Sequence, residues 1–104
     1  MSIPEQVEDA IHTVAVAYTR VVRIEAEYSP VPRQNRMRRQ QAWREYNTAV
    51  IEWRRAHREA KLGTHMLPLD TEILLAARSA YGEHGPHVNI HHIKTALQQI
   101  AGTS

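Results

Sequence analysis

The sequence predicts an all-α fold: a long antiparallel, coiled-coil-like helical hairpin with two shorter C-terminal helices packed on it. Three observations lead there. Apolar residues recur at alternating spacings of four and three along two long stretches, as on one face of a helix. A short connection, Ser29-Pro30-Val31-Pro32, separates those stretches, which forces antiparallel neighbours. Two later segments each open on a residue suited to capping a helix, Asp70 and Asn89. At 104 residues the chain is one domain, 1–104, with the hairpin over 1–61 and the C-terminal pair over 66–102.

The first helix opens on Ser2-Ile3-Pro4-Glu5, read as a capping box with Ser2 at the N-cap and proline in the first turn. Its seam is Val7, Ile11, Val14, Tyr18, Val21, Glu25 and Tyr28, six of the seven apolar or aromatic. It ends at the prolines, since the residue before each proline is pushed out of the helical region. The second helix runs from about Arg33 to Lys61, with Gly63 as its C-terminal stop. Its seam reads Arg39, Trp43, Tyr46, Val50, Trp53, His57 and Ala60, flanked by Ala42, Ala49 and Ala56. That stripe is wider than one partner helix covers, so the C-terminal helices, a second copy in a homodimer, or both should cover it. Pairing the seams outward from the turn sets Tyr28 near Arg33, Tyr18 near Trp43, Ile11 near Val50 and Val7 near Trp53.

The third helix starts at Asp70, with Leu69 placed to staple onto Leu74. Its body, EILLAARSAY, is apolar on nearly every side and is expected to be buried, with Gly82 stopping it. The fourth starts at Asn89, with Val88 and Ile93 as a staple pair. It presents Ile90, Ile93, Leu97 and Ile100 on one face and His91, Lys94, Thr95 and Gln98 on the other. The segment ILLAARSAYGEHG resembles the opening helix of tetracycline-repressor-type regulators through Ile73-Leu74, Ala76-Ala77, Tyr81 and Gly85. The likeness spans about thirty residues, and the recognition helix expected after it does not follow, so no function is carried over.

Charge is where the sequence speaks of function. The net charge is only +2, yet residues 20–39 alone carry six arginines against Glu25 and Glu27. Residues 1–19 hold Glu5, Glu8 and Asp9 and no basic residue. The cluster Arg33, Arg36, Arg38 and Arg39 sits at a helix start, which already bears partial positive charge, so local stability gives no reason for it. Ion pairs from Glu25 and Glu27 are expected to occupy Arg33 and Arg36, leaving Arg38 and Arg39, with Arg20 and Arg23 from the facing helix, for a partner. These six arginines are either a solvated face or, as the functional expectation, a partner-binding surface. Arginine's planar fork suits carboxylate or phosphate. An acidic protein surface is the first expectation and DNA or RNA the alternative, because aromatic interleaving and a strongly basic balance are missing.

Other classes find less support. No run of eighteen apolar residues marks a membrane span, and the acidic start MSIPEQVEDA lacks the apolar core of a signal peptide. With no cysteine, disulfides and thiolate metal sites are impossible, which fits a cytoplasmic protein. His84, His87, His91 and His92 cluster within nine residues but read as a solvated polar loop, and neither metal nor cofactor is expected. No nucleophile stands with a base, and no glycine-rich phosphate loop or HExxH occurs, so no enzymatic activity is expected. Small size, arginine bias and the missing catalytic motif suit a phage or mobile-element accessory or inhibitor protein.

Overall fold

A computed structural model of the chain describes residues 4–26, 32–60, 68–84 and 89–102. They form four helices: α1 (Glu5–Ala26), α2 (Pro32–Glu59), α3 (Asp70–His84) and α4 (Ile90–Gly102). The fold is all-α, and no strand occurs among the described residues. Ser2, Glu27, Tyr28, Gly63, His87 and Val88, for which the sequence carries expectations, lie outside them.

The helix starts follow local chemistry. α1 begins two residues later than a Ser2 cap implies: the Pro4 carbonyl accepts from Val7 N–H and Glu8 N–H, both at 3.0 Å. Glu5 and Glu8 then sit in the first turn, where the helix dipole favours carboxylates. Pro32 belongs to α2 as its first residue, a position where its missing N–H and fixed φ suit a helix start. At α3 the capping role falls to Leu69, whose carbonyl accepts from Ile73 N–H at 3.0 Å while Glu72 takes the Leu69 N–H at 3.4 Å. Leu69 therefore points outward, 55% exposed, and does not staple onto Leu74. Buried Pro68, one residue earlier, holds the staple position instead, with buried Ile73 as its counterpart. α4 has a reciprocal cap: Asn89 Oδ1 accepts from His92 N–H and His92 Nδ1 accepts from Asn89 N–H, both at 3.2 Å. Histidine here does what glutamate does in the usual capping box.

α1 and α2 run antiparallel, because positions advancing along α1 meet positions retreating along α2. Tyr18 meets Tyr46, Arg20 meets Glu45, and Glu25 meets Trp43. That register sits about one helical turn from the pairing that the seams suggest, with Tyr18 on Trp43. A one-turn slide keeps the same apolar face inward, so the seam pattern alone does not choose between the two registers. Trp43, half-buried, gains a carboxylate for its indole N–H in the observed register.

The closest helix approaches are α1 with α2, α1 with α4, and α3 with α4. α1 is thus buried on a broad arc: Val7, Ile11, Val14, Tyr18 and Val21 as expected, and also Ala15, Ala17 and Thr19. The Thr19 hydroxyl is satisfied inside the core by the Ala15 carbonyl at 2.8 Å. α2 contributes Ala42, Tyr46, Ala49, Val50, Trp53 and His57. α4 adds Ile93, Leu97 and Ala101, and its Gln98 amide donates to Glu8 of α1 at 2.9 Å.

α3 departs most from expectation. Only Ile73, Ala77 and Ala80 are buried, while Leu75 is 60% exposed. The helix lies on the outside of the bundle, with one neighbour close on its α4 side, so a single face is covered. Gly82 does not end it; the helix continues through Gly82 to His84. α3 stands further from α2 than from α4, and side chains bridge the gap: Arg54 Nε donates to the Pro68 carbonyl at 3.2 Å, and its Nη1 lies 3.7 Å from Asp70 Oδ1.

Candidate docking surface at the arginine-rich end

α2 has 28 residues against 15 in α3 and 13 in α4, so the C-terminal helices cannot cover its whole length. The part without a described buried side chain is its N-terminal third. The first buried residue of α2 is Ala42, and none of the side chains described from Arg33 to Gln41 is buried. There is also no acidic residue in the first turn of α2 to oppose the positive end of the helix dipole. Arg39, placed on the seam by its spacing, is exposed for this reason: the seam continues past the end of the core.

All six arginines singled out from the sequence, Arg20, Arg23, Arg33, Arg36, Arg38 and Arg39, stand outside the core and are exposed. They do not form one patch. Arg20, Arg23 and Arg38 line a cleft of about 340 Å³ between α1 and α2, together with Glu45. Arg36 and Arg39 line a broader depression of about 720 Å³ on the opposite flank of α2, with Glu25, Trp43, Arg44 and Ile51. Arg33 stands near the start of the helix.

The ion pairs differ from those the chain order suggests. Arg20 pairs with Glu45 at 3.1 Å, so it is not left without a carboxylate. With the two side chains 60% and 40% exposed, the pair contributes at most about 1 kcal/mol. Glu25 accepts from the Trp43 indole at 2.9 Å, and among the described residues no ion pair joins it to Arg33 or Arg36. The one-turn register displacement explains both: it brings Glu45 to Arg20 and Trp43 to Glu25.

Grouping arginines along the chain misses two members of the surface. Arg44 lies two turns beyond Arg36 on the same side of α2, and Ile51 two turns beyond Trp43. Helical spacing carried across the core boundary would find them. Behind the surface, Trp43 packs edge-on against Tyr46 (centroids 5.5 Å apart, planes at 88°), and Tyr46 against Tyr18 (5.7 Å, 62°). Burial pushes the Tyr46 hydroxyl up to about 12, with Tyr18 and Asp70 adding to the shift. Burial also raises Tyr18, against the pull of Arg78 from α3.

Of the clustered histidines, the His84 side chain and the whole of His87 lie outside the described residues. His91 is exposed, His92 serves the α4 cap, and the rings are 6.4 Å apart. Among the described residues no group of three or more His, Asp or Glu could hold a metal ion, and no helix is long and apolar enough to cross a membrane. Compared with known protein families, curated proteins and solved structures, the chain finds no match.

Proposed function

We propose that this protein is a non-enzymatic interaction module that docks on an acidic macromolecular partner, a protein surface in the first place, through the arginine-bearing N-terminal third of α2. One observation carries the reading. From Arg33 to Gln41 no described side chain is buried, yet this stretch holds four arginines and remains helical. Arginine is a good helix former, but core packing asks for none here, and in the first turn the dipole opposes each positive charge by about 0.3–1 kcal/mol. Exposed guanidinium groups on one helix suit carboxylate recognition, since helical spacing sets them at regular intervals and each offers a planar fork.

The test is charge reversal at Arg38 and Arg39. The double substitution Arg38→Glu, Arg39→Glu should leave the urea midpoint nearly unchanged, as exposed charges move stability by under about 0.5 kcal/mol. Binding to the native partner should fall sharply. The competing nucleic-acid reading is separated by salt: binding to duplex DNA or RNA should weaken by about 0.9 log unit per phosphate contact for each log unit of salt. Undiminished partner binding by the double variant would reduce the arginine end to a solvated face.

A further inference from the structure

Arginines explain only half of the exposed flank of α2. Its other half is apolar. Ile51 is 58% exposed, and beside it a cleft of about 250 Å³ opens between α2 and α3, lined by Trp43, Tyr46, Val50, Ile51, Thr71 and Leu74. The cleft exists because α3 stands away from α2 here. Trp43, Asn47 and Ile51 line both this cleft and the depression holding Arg36, Arg39 and Arg44, so the two are one continuous surface. From Arg36 to Ile51 it runs about 22 Å along α2 at 1.5 Å per residue. The remaining exposed large apolar residues, Val16, Met37, Leu69 and Leu75, stand outside both clefts.

We infer that this flank of α2 receives an amphipathic helix of the partner, about four turns long, with carboxylates at one end and aliphatic side chains at the other. The inference rests on the docking reading above and specifies its partner. Charge complementarity fixes the orientation. Arg36, Arg39 and Arg44 lie at one end, and among the described residues none of them has an ion-pair partner; Glu25, the carboxylate beside them, accepts from Trp43. At the other end the carboxylate is Asp70, which faces Arg54. The surface is therefore positive and polar toward the α2 N-terminus, and apolar with a balanced ion pair toward α3. A helix lying along it sets carboxylates over the arginines and an aliphatic side chain over Trp43, Ile51 and Leu74. A groove between two helices, read by side chains three and four apart, is the geometry that takes a helix as ligand. A phosphate backbone would use the arginines and leave Ile51 and Leu74 uncovered.

The probes are three synthetic helical peptides of about sixteen residues. The first carries glutamates in one half and leucines at helical spacing in the other; the second has serine for leucine; the third has lysine for glutamate. A duplex DNA of similar length is the fourth probe. Titrated into the full ¹⁵N-labelled chain, the first peptide should bind at least about tenfold tighter than the second or third and should shift the Trp43 indole resonance. Ile51→Ser, at an exposed position, should leave the unfolding midpoint in place and weaken the first peptide by about fivefold or more. Arg36→Glu with Arg39→Glu should weaken it further. If the first two peptides bind alike, Ile51→Ser changes nothing and arginine reversal alone abolishes binding, docking through the arginines stands and this inference falls. If the lysine peptide binds as well as the first, or the DNA binds tightest, the acidic-partner reading falls with it. Failure of all four probes to move Trp43 overturns the inference, while the docking reading is then decided by the native partner.

Discussion

Trp53 is the largest fully buried side chain of the protein, and its removal gives the sharpest measure of the packing described above. A buried tryptophan takes up to about 250 Å² out of water, which at about 25 cal/mol per Å² amounts to about 6 kcal/mol. Its indole Nε1 is buried without a hydrogen-bond partner among the described residues, so truncation also relieves a desolvation penalty of about 1–3 kcal/mol. Trp53→Ala should therefore cost about 3–5 kcal/mol, the range seen for large aromatics cut to alanine. Against a total stability of about 5–15 kcal/mol, the variant should still fold in the cold, with a much lower midpoint. Trp53→Phe keeps most of the apolar area and deletes the orphaned N–H, so it should cost no more than about 1 kcal/mol. The assay is urea unfolding followed by far-ultraviolet circular dichroism, with the slope m checked for constancy. A loss below about 1 kcal/mol for Trp53→Ala would put the residue outside the core. A loss for Trp53→Phe equal to that for Trp53→Ala would show the indole N–H to be satisfied, and the account of this site would fail.

Further outcomes follow from other positions. Tyr46, with its hydroxyl raised to about 12 from an ordinary value of 10, holds its proton more tightly folded than unfolded; its contribution is complete below pH 10 and declines as pH rises through 12. Chemical denaturation at a series of pH values should show that decline, and Tyr46→Phe should shrink it without loss at neutral pH, because the hydroxyl has no hydrogen-bond partner among the described residues. Gly82 lies inside α3 with nothing within 4 Å of an added Cβ, so Gly82→Ala should stabilise by about 0.5–1 kcal/mol; a destabilised variant would mean the helix does end there. Light scattering at micromolar concentration decides whether a second copy helps to cover the wide stripe on α2: a mass near 11.9 kDa removes the dimer. Twice that mass would place a second copy on α2.

The helices themselves are legible in the sequence because each carries several independent signals. Val7 to Val21 repeat at helical spacing, Asn89 is a residue suited to capping, and Ile93 and Leu97 mark one face of α4. What escapes is relational. Seam spacing cannot separate two registers one turn apart, so the partners of Arg20 and Glu25 go astray together. Leu69 and Leu75 look like core because apolar composition says nothing about how many neighbours a helix has; α3, close to α4 on one side only, buries one face. Gly82 looks like a stop since glycine commonly ends helices, but an exposed interior glycine costs only about 1 kcal/mol and tertiary packing carries the helix across it. The arginine surface is legible in part. The chain order shows the density of charge, while its division into two flanks, and the adjacent apolar cleft, depend on where α3 stops covering α2.

The uncovered third of α2 also sets a gradient of local stability along one helix. Amides near Trp53 are held by the core and exchange with solvent only when the whole protein opens. From Arg33 to Gln41 no described side chain is buried, so those amides rest mainly on their own helical turns, and short isolated helices are marginal in water. Native-state hydrogen exchange along α2 should therefore rise in protection from its N-terminus toward Trp53, with the steepest change near Ala42. A ligand seated on the arginines must quiet that fraying, giving up part of its interaction energy as entropy. On the docking proposal, the binding element then adjusts its first two turns to a partner without disturbing the bundle behind it.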